Sequence, residues 1–197
     1  MPTHSVHFFD TQFQRQVAAA EFALNPFERL ALPFLKGEVL DLGCGLGNLA
    51  LEAARGGCRV TALDGSPAGI ARIRETALNE GLAVEAHEAD LGRYALARDY
   101  DAIVAIGLLM FFPRDRAEAL LADILAHVRP GGLVVLNTLT EGTTFLGMFE
   151  PDHYHLFPVG ALKAALAGWD ILAESHDSFP APGDTLKVFD TVVARRP

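Results

Sequence analysis

Cysteine is scarce, with only Cys44 and Cys58 in 197 residues, and neither sits in a Cys-x-x-Cys or Cys/His ligand spacing. That excludes a disulfide framework and a structural zinc site, and it suits a reducing compartment. Positive charge is also short, with 16 Lys and Arg against 25 Asp and Glu and a formal charge of −9. No basic run is interleaved with aromatics, so the electrostatic footprint of a nucleic-acid binder is missing. No apolar segment approaches the roughly 20 residues that cross a bilayer, and the start, "MPTHSVHFFDTQFQRQ", lacks a basic stretch followed by an apolar one. A cytoplasmic protein without membrane or nucleic-acid partners is expected. Internal repeats and low-complexity tracts are absent too.

Half of the residues are apolar or aromatic, and the length suits one domain with a substantial core. From about Glu38, short β-rich runs alternate with helical patterns, which predicts a parallel sheet covered by helices. Strands are predicted at Glu38–Leu42, Arg59–Leu63, Ala83–Glu88, Tyr100–Ile106 and Gly132–Thr138. Ser66-Pro67 reads as an N-cap and first helical position, followed by an apolar face of Ile70, Ile73 and Leu78 and a stop at Gly81. A second helix is predicted from Arg114 to Val128, with Leu120, Leu121, Ile124 and Leu125 on one side, ending at Arg129-Pro130-Gly131-Gly132. After Thr140 come a loop-like segment, a short helix at Val159–Ala167, and strand-like runs at Trp169–Ala173 and Thr185–Ala194 that predict an antiparallel edge hairpin. The first 35 residues form an amphipathic helical segment outside this unit, with Pro26 and Pro33 near its end. The expected organisation is a helical cap over residues 1–35 on a core of residues 36–197.

The stretch "VLDLGCGLGN" (39–48) places Gly43, Gly45 and Gly47 at alternate positions after the first strand. Glycines there let backbone approach a ligand at the carboxyl end of a strand, where open α/β sheets bind. Two ligands compete. A dinucleotide site wants a further glycine or alanine where Asn48 stands, and Asp41 beside the loop would repel a pyrophosphate. A ligand with a cationic amino-acid end tolerates Asp41.

The stretch resembles the first motif of the class I S-adenosylmethionine-dependent methyltransferases, a resemblance that covers about Glu38 to Leu136. It implies a three-layer α/β Rossmann-like fold with a mostly parallel seven-stranded sheet and an antiparallel C-terminal edge hairpin. It also implies S-adenosylmethionine as cofactor. Gly43, Cys44, Gly45 and Gly47 would bring backbone to its amino-acid end, and Asp41 would support its ammonium. Asp64, with Gly65 beside it, lies about 20 residues beyond the loop, where a carboxylate reaches ribose hydroxyls. Asp90, with the Leu91 amide as neighbour, matches the adenine position, a helix N-cap being the alternative role. Asp101 opens the fourth strand at the far end from the ligand and reads as structural, and Cys44 as a small filler.

A sulfonium methyl is already activated, so methyl transfer needs a dry, aligned site and no metal. The segment Gly107, Leu108, Leu109, Met110, Phe111 and Phe112 should border the methyl. It carries neither the Asn/Asp-Pro-Pro-Tyr/Phe motif of amino-methylating DNA enzymes nor a Pro-Cys pair, so a small substrate is expected. Leu109-Met110-Phe111, Arg129-Pro130-Gly131-Gly132 and "HYHLFPVGALKAALAGWDILAE" together resemble the tellurite-resistance type of methyltransferase. That implies tellurite, selenite or a related chalcogen species as acceptor. The hairpin "SHDSFPAPGDTLK" departs from that type in having His176 without an adjacent arginine, which leaves the chalcogen species leading and a small organic thiol, amine or acid nearly level.

His153 and His155 would face the same way in an extended segment, as candidate general bases or as plain surface residues; a metal there lacks a third ligand. Phe8, Phe9 and Phe13 read equally as a lid over the cofactor or as helix packing. A non-catalytic cofactor-binding module and a nicotinamide oxidoreductase are the rival readings.

Overall fold

Alternate residues of the central strands enter opposite cores, the two-residue period that a sheet covered on both faces requires. The computed structural model describes residues 4–197, so residues 1–3 of the expected cap lie outside the described residues. The strands are β1 (Glu38–Leu42), β2 (Arg59–Asp64), β3 (Val84–Glu88), β4 (Tyr100–Ile106), β5 (Val128–Leu139), β6 (Asp170–Ala181) and β7 (Thr185–Arg195). The helices are α1 (His4–Ala18), α2 (Pro26–Ala31), α3 (Asn48–Arg55), α4 (Pro67–Glu80), α5 (Arg114–Ala126) and α6 (Ala161–Ala165). The sheet order is β3-β2-β1-β4-β5-β7-β6, with β1 to β5 parallel and β7 antiparallel to both of its neighbours.

Leu40, Leu42, Ile103, Leu136 and Val192 pack with α5 and α6 on one face. Val39, Val104, Val135 and Val193 pack with α3 and α4 on the other. A third apolar cluster, Met110, Leu139, Met148 and Phe149 with Phe9, Phe111 and Phe189 against it, caps the carboxyl ends of the parallel strands. The order reverses between β1 and β4, which opens a crevice at those ends.

Several local expectations change. α4 is capped by Ser66 and closed by left-handed Gly81 as predicted, but its buried stripe is Ile70, Ile73 and Ala77, and Leu78 is 83% exposed. β5 begins at Val128, and Arg129–Gly132 form an irregularity within it rather than a turn before it, because the register jumps from Tyr100↔Val128 to Ala102↔Leu133. β6 runs eight residues past Ala173; Pro180 is tolerated because β6 is an edge strand. The last helix is confined to Ala161–Ala165. The N-terminal segment breaks after Ala18 and restarts at Pro26, where Asn25 and Glu28 form a capping box. Asp101 accepts from the Glu38 amide and from Arg129, tying the far ends of β1, β4 and β5 together. No helix among the described residues is long and apolar enough to cross a membrane.

Candidate active site

The crevice is a cavity of about 1250 Å³. Its base is the loop between β1 and α3. Gly43 and Gly45 adopt φ of 71° and 54°, which L side chains rarely take, and the Gly43 and Cys44 amides donate to the Leu63 carbonyl at 2.8 and 3.1 Å. Asp64 locks the loop from β2: one carboxylate oxygen accepts from the Gly45 amide at 2.8 Å, the other from the Ser66 amide at 2.8 Å. The first turn of α4 presses on the same loop through Gly69, where a Cβ would lie 2.2 Å from the Gly45 carbonyl oxygen.

Four carboxylates from four elements crowd this end: Asp10 on α1, Glu28 on α2, Asp41 on β1 and Asp64 on β2, all lining the cavity. Asp41 is buried, and its pKa is pushed up to about 8, by desolvation first and then by Glu28 and Asp64. Burial also raises Asp64, opposed by the amides of Gly45, Ser66 and Gly65. Burial raises Glu28 in turn, opposed by the Asn25 amide and Arg29. Cys44 is held as an unreactive thiol by burial and by Asp41 and Asp64. Uncompensated negative charge in a concave site favours a cation.

Beyond β2, after the end of β3, Asp90 receives the Gly92 amide at 3.0 Å, and Arg116 holds the same turn by donating to the Leu91 and Tyr94 carbonyls, both at 2.6 Å. Helix α1 lies across the cavity. Phe13 packs on Gly45, Phe9 meets Phe111 edge-on at 5.2 Å, and Asp10 accepts from Ser66 Oγ at 2.5 Å and the Ala68 amide at 3.3 Å. Asp10 thereby adds a carboxylate to the Ser66 hydroxyl cap of α4.

Residues 39–132 match the family described as a methyltransferase domain. Over 169 residues the chain is 31% identical to Hemagglutinin 1 of Eikenella corrodens, covering 81% of this chain and 55% of that protein. It is 33% identical over 168 residues to the probable S-adenosyl-L-methionine-dependent methyltransferase TehB of Haemophilus influenzae, covering 81% of this chain and 57% of that protein. The crystal structure of TehB from Haemophilus influenzae superposes over 92% of this chain and 65% of that one, with a TM-score of 0.77 at 23% identity. Residues 39–132 therefore carry a methyltransferase domain, and these likenesses support the class I S-adenosylmethionine-dependent type. The chain spans a little over half the length of these curated relatives.

Of the positions expected at the cofactor, Asp41, Gly43, Cys44, Gly45, Asp64, Gly65, Asp90, Leu91 and Gly107 all line the cavity. Gly47 does not. It is the left-handed N-cap of α3, and its missing side chain makes room for Ile73, whose Cγ1 lies 2.3 Å from where a Cβ would stand. Asp90 caps a turn rather than a helix. The two histidines separate: His153 lines the cavity, whereas His155 packs on Phe157 at 4.5 Å with its amide on the Met110 carbonyl. Burial and the nearby Arg114 lower the His155 pKa. Tyr154 stacks on Phe149 at 4.6 Å. Of the N-terminal aromatics, Phe9 and Phe13 line the cavity, while Phe8 is 36% exposed and packs edge-on against Phe9.

Sequence reasoning passed over Asp10, Glu28, Gly69, Asn137 and Lys187. The only local signal was the Asn25–Glu28 capping pattern, which marks a helix start and says nothing of the cavity.

Proposed function

We propose that the protein binds S-adenosylmethionine in this cavity and transfers its methyl group to a small-molecule acceptor. The observation that carries this reading is the acidic end of the cavity, built on a glycine loop and roofed by α1. When bound, the cofactor supplies an electrophilic methyl on a sulfonium. Gly43, Cys44 and Gly45 offer backbone to its amino-acid end, and Asp41 with Glu28 opposes the ammonium. Asp64 and Gly65 serve the ribose, and Asp90 with Leu91 the adenine. The residues fit such a group: Asn48 Oδ1 beside the loop is buried with no partner, and the bound cation would relieve the crowding that raises Asp41. Leu108, Met110, Phe111 and Phe9 exclude water from the side where the methyl would leave. His153, on the cavity wall, is placed to take a proton from a hydroxyl or thiol.

Likeness to the tellurite-resistance type favours a chalcogen oxyanion or its reduced form, whose lone pair needs no protein base. The apolar walls favour an organic thiol, amine or acid. Incubation with methyl-labelled S-adenosylmethionine and separate tellurite, selenite, thiol, amine and carboxylate acceptors tests the reading, with label followed in headspace and solution. Label should appear in an acceptor product. A protein that binds no S-adenosylmethionine by calorimetry would refute the proposal, and binding without product across the whole panel would favour the non-catalytic module.

A further inference from the structure

Beyond the glycine loop the cavity continues into a compartment that none of these cofactor contacts uses. Asn137, near the carboxyl end of β5, forms its floor. Its Nδ2 donates to Thr191 Oγ1 at 2.9 Å across the β5–β7 pair, with the Asp190 carbonyl at 3.5 Å. That carbonyl fixes the amide's orientation, because a flipped amide would set oxygen against oxygen. Oδ1 is left buried without a partner in a side chain that is 1% exposed and lines the cavity. A buried acceptor in such a place calls for a donor.

Thr191, Phe189 and Lys187 share one face of β7, the face on which Asn137 lies. Phe189 contacts Phe27 at 4.8 Å, and these rings with Met148 and Phe111 wall the compartment. Lys187 stands at the rim, half-buried, its Nζ 4.7 Å from the centre of the Phe145 ring. Glu150 and His153 also line the cavity. Neither forms an ion pair with Lys187, whose pKa is lowered by burial alone. Four residues of strand separate Lys187 from Thr191, roughly 13 Å of backbone, part of which the lysine's flexible stem takes back.

We propose that this compartment receives an elongated organic acid: its carboxylate on Lys187, its apolar or aromatic body against the Phe27–Phe189 pair, and an N–H or O–H donor on Asn137 Oδ1. This deepens the methyl-transfer reading by naming the acceptor class: the lone pair of the donor-end nitrogen or oxygen would form the new bond to the methyl as the methyl–sulfur bond breaks, S-adenosylhomocysteine would leave, and the displaced N–H or O–H proton would pass to water. An amine there also suits the carboxylates on the same face of the sheet, Asp41 and its neighbours Glu28 and Asp64. A bare inorganic oxyanion meets Lys187 but is too short to reach Asn137.

The test is a calorimetric titration of the full chain, loaded with S-adenosylhomocysteine, against para-aminophenylpropionate and its neutral primary amide. The acid should bind about ten-fold more tightly than the amide, and Lys187→Met should bring the two within about two-fold, since one charge-assisted contact is removed. Asn137→Ser should weaken both ligands by a similar factor while S-adenosylhomocysteine affinity stays intact. Equal binding of acid and amide, an acid advantage that survives Lys187→Met, or no binding of either would overturn the proposal. Failure of the methyl-transfer reading is seen separately, in the preceding S-adenosylhomocysteine titration and in the absence of labelled product; the acid preference is then read on the unloaded chain.

Discussion

Asp41→Asn should stabilise the fold and weaken the cofactor in one step. The carboxyl is 5% exposed and its pKa is pushed from the ordinary 3.8 up to about 8, by burial first and then by Glu28 and Asp64. The folded chain therefore holds a proton that the unfolded chain releases, so stability falls as pH rises from 3.8 toward 8 and levels off above. At about 1.4 kcal/mol per pH unit, the part of this cost incurred by pH 7 has a ceiling of roughly 4 kcal/mol. Water in the open cavity screens the charge, and about 1–3 kcal/mol is the expected gain on replacing the carboxylate with an amide of the same shape. Urea unfolding of parent and variant, without cofactor, at about pH 4 and about pH 8 reads this directly, as a midpoint difference that opens with pH. Calorimetry on the same variant should show S-adenosylmethionine bound about ten-fold more weakly, with the parent's proton release on binding lost. A variant no more stable than the parent at the higher pH would refute the electrostatic account of this end of the cavity.

Asp64→Ala removes the acceptor for the Gly45 and Ser66 amides as well as the ribose contact, and should cost about 1.5–3 kcal/mol of cofactor affinity by calorimetry; an unchanged affinity removes Asp64 from the site. Gly69→Ala sets a methyl 2.2 Å from a backbone oxygen that has no room to yield, so a loss of about 1–3 kcal/mol in unfolding free energy is expected, with a displaced glycine loop. Stability equal to the parent's would contradict that packing. Asp10→Ala cuts α1 from the start of α4 and should speed S-adenosylhomocysteine dissociation about five-fold in stopped flow, the equivalent of about 1 kcal/mol for a lost cap. An unaltered rate would show that α1 does not gate the cavity.

At several elements whose signal was local, sequence and structure agree closely. Glu38–Leu42 and Tyr100–Ile106 are strands over the predicted residues, and α4 runs between the predicted cap and stop. Leu78 misled because hydrophobicity outweighed angle. Ala77 lies seven residues from Ile70 and returns to the stripe, whereas Leu78 is a further 100° or so around the helix. β6 was cut short because an edge strand beyond the helical layers has little need of apolar alternation, and its charged residues read as loop. The residues that line the glycine-loop end of the cavity were legible because glycines with a following acidic residue carry a fixed spacing. Asp10, Glu28, Asn137 and Lys187 were not, since each comes from a different element and acquires meaning only through burial and juxtaposition. The histidine pair failed as a pair because residues 153–156 are not a regular strand, so alternation did not hold.

The reversed strand β7 divides the labour of the cavity along the chain. What faces the glycine loop is encoded before residue 117, while the floor and rim of the further compartment come from residues 137–189 on β5, the following loop and the terminal hairpin. On the proposed roles, changes in the hairpin would alter what is recognised while the glycine-loop end of the cavity stays as it is.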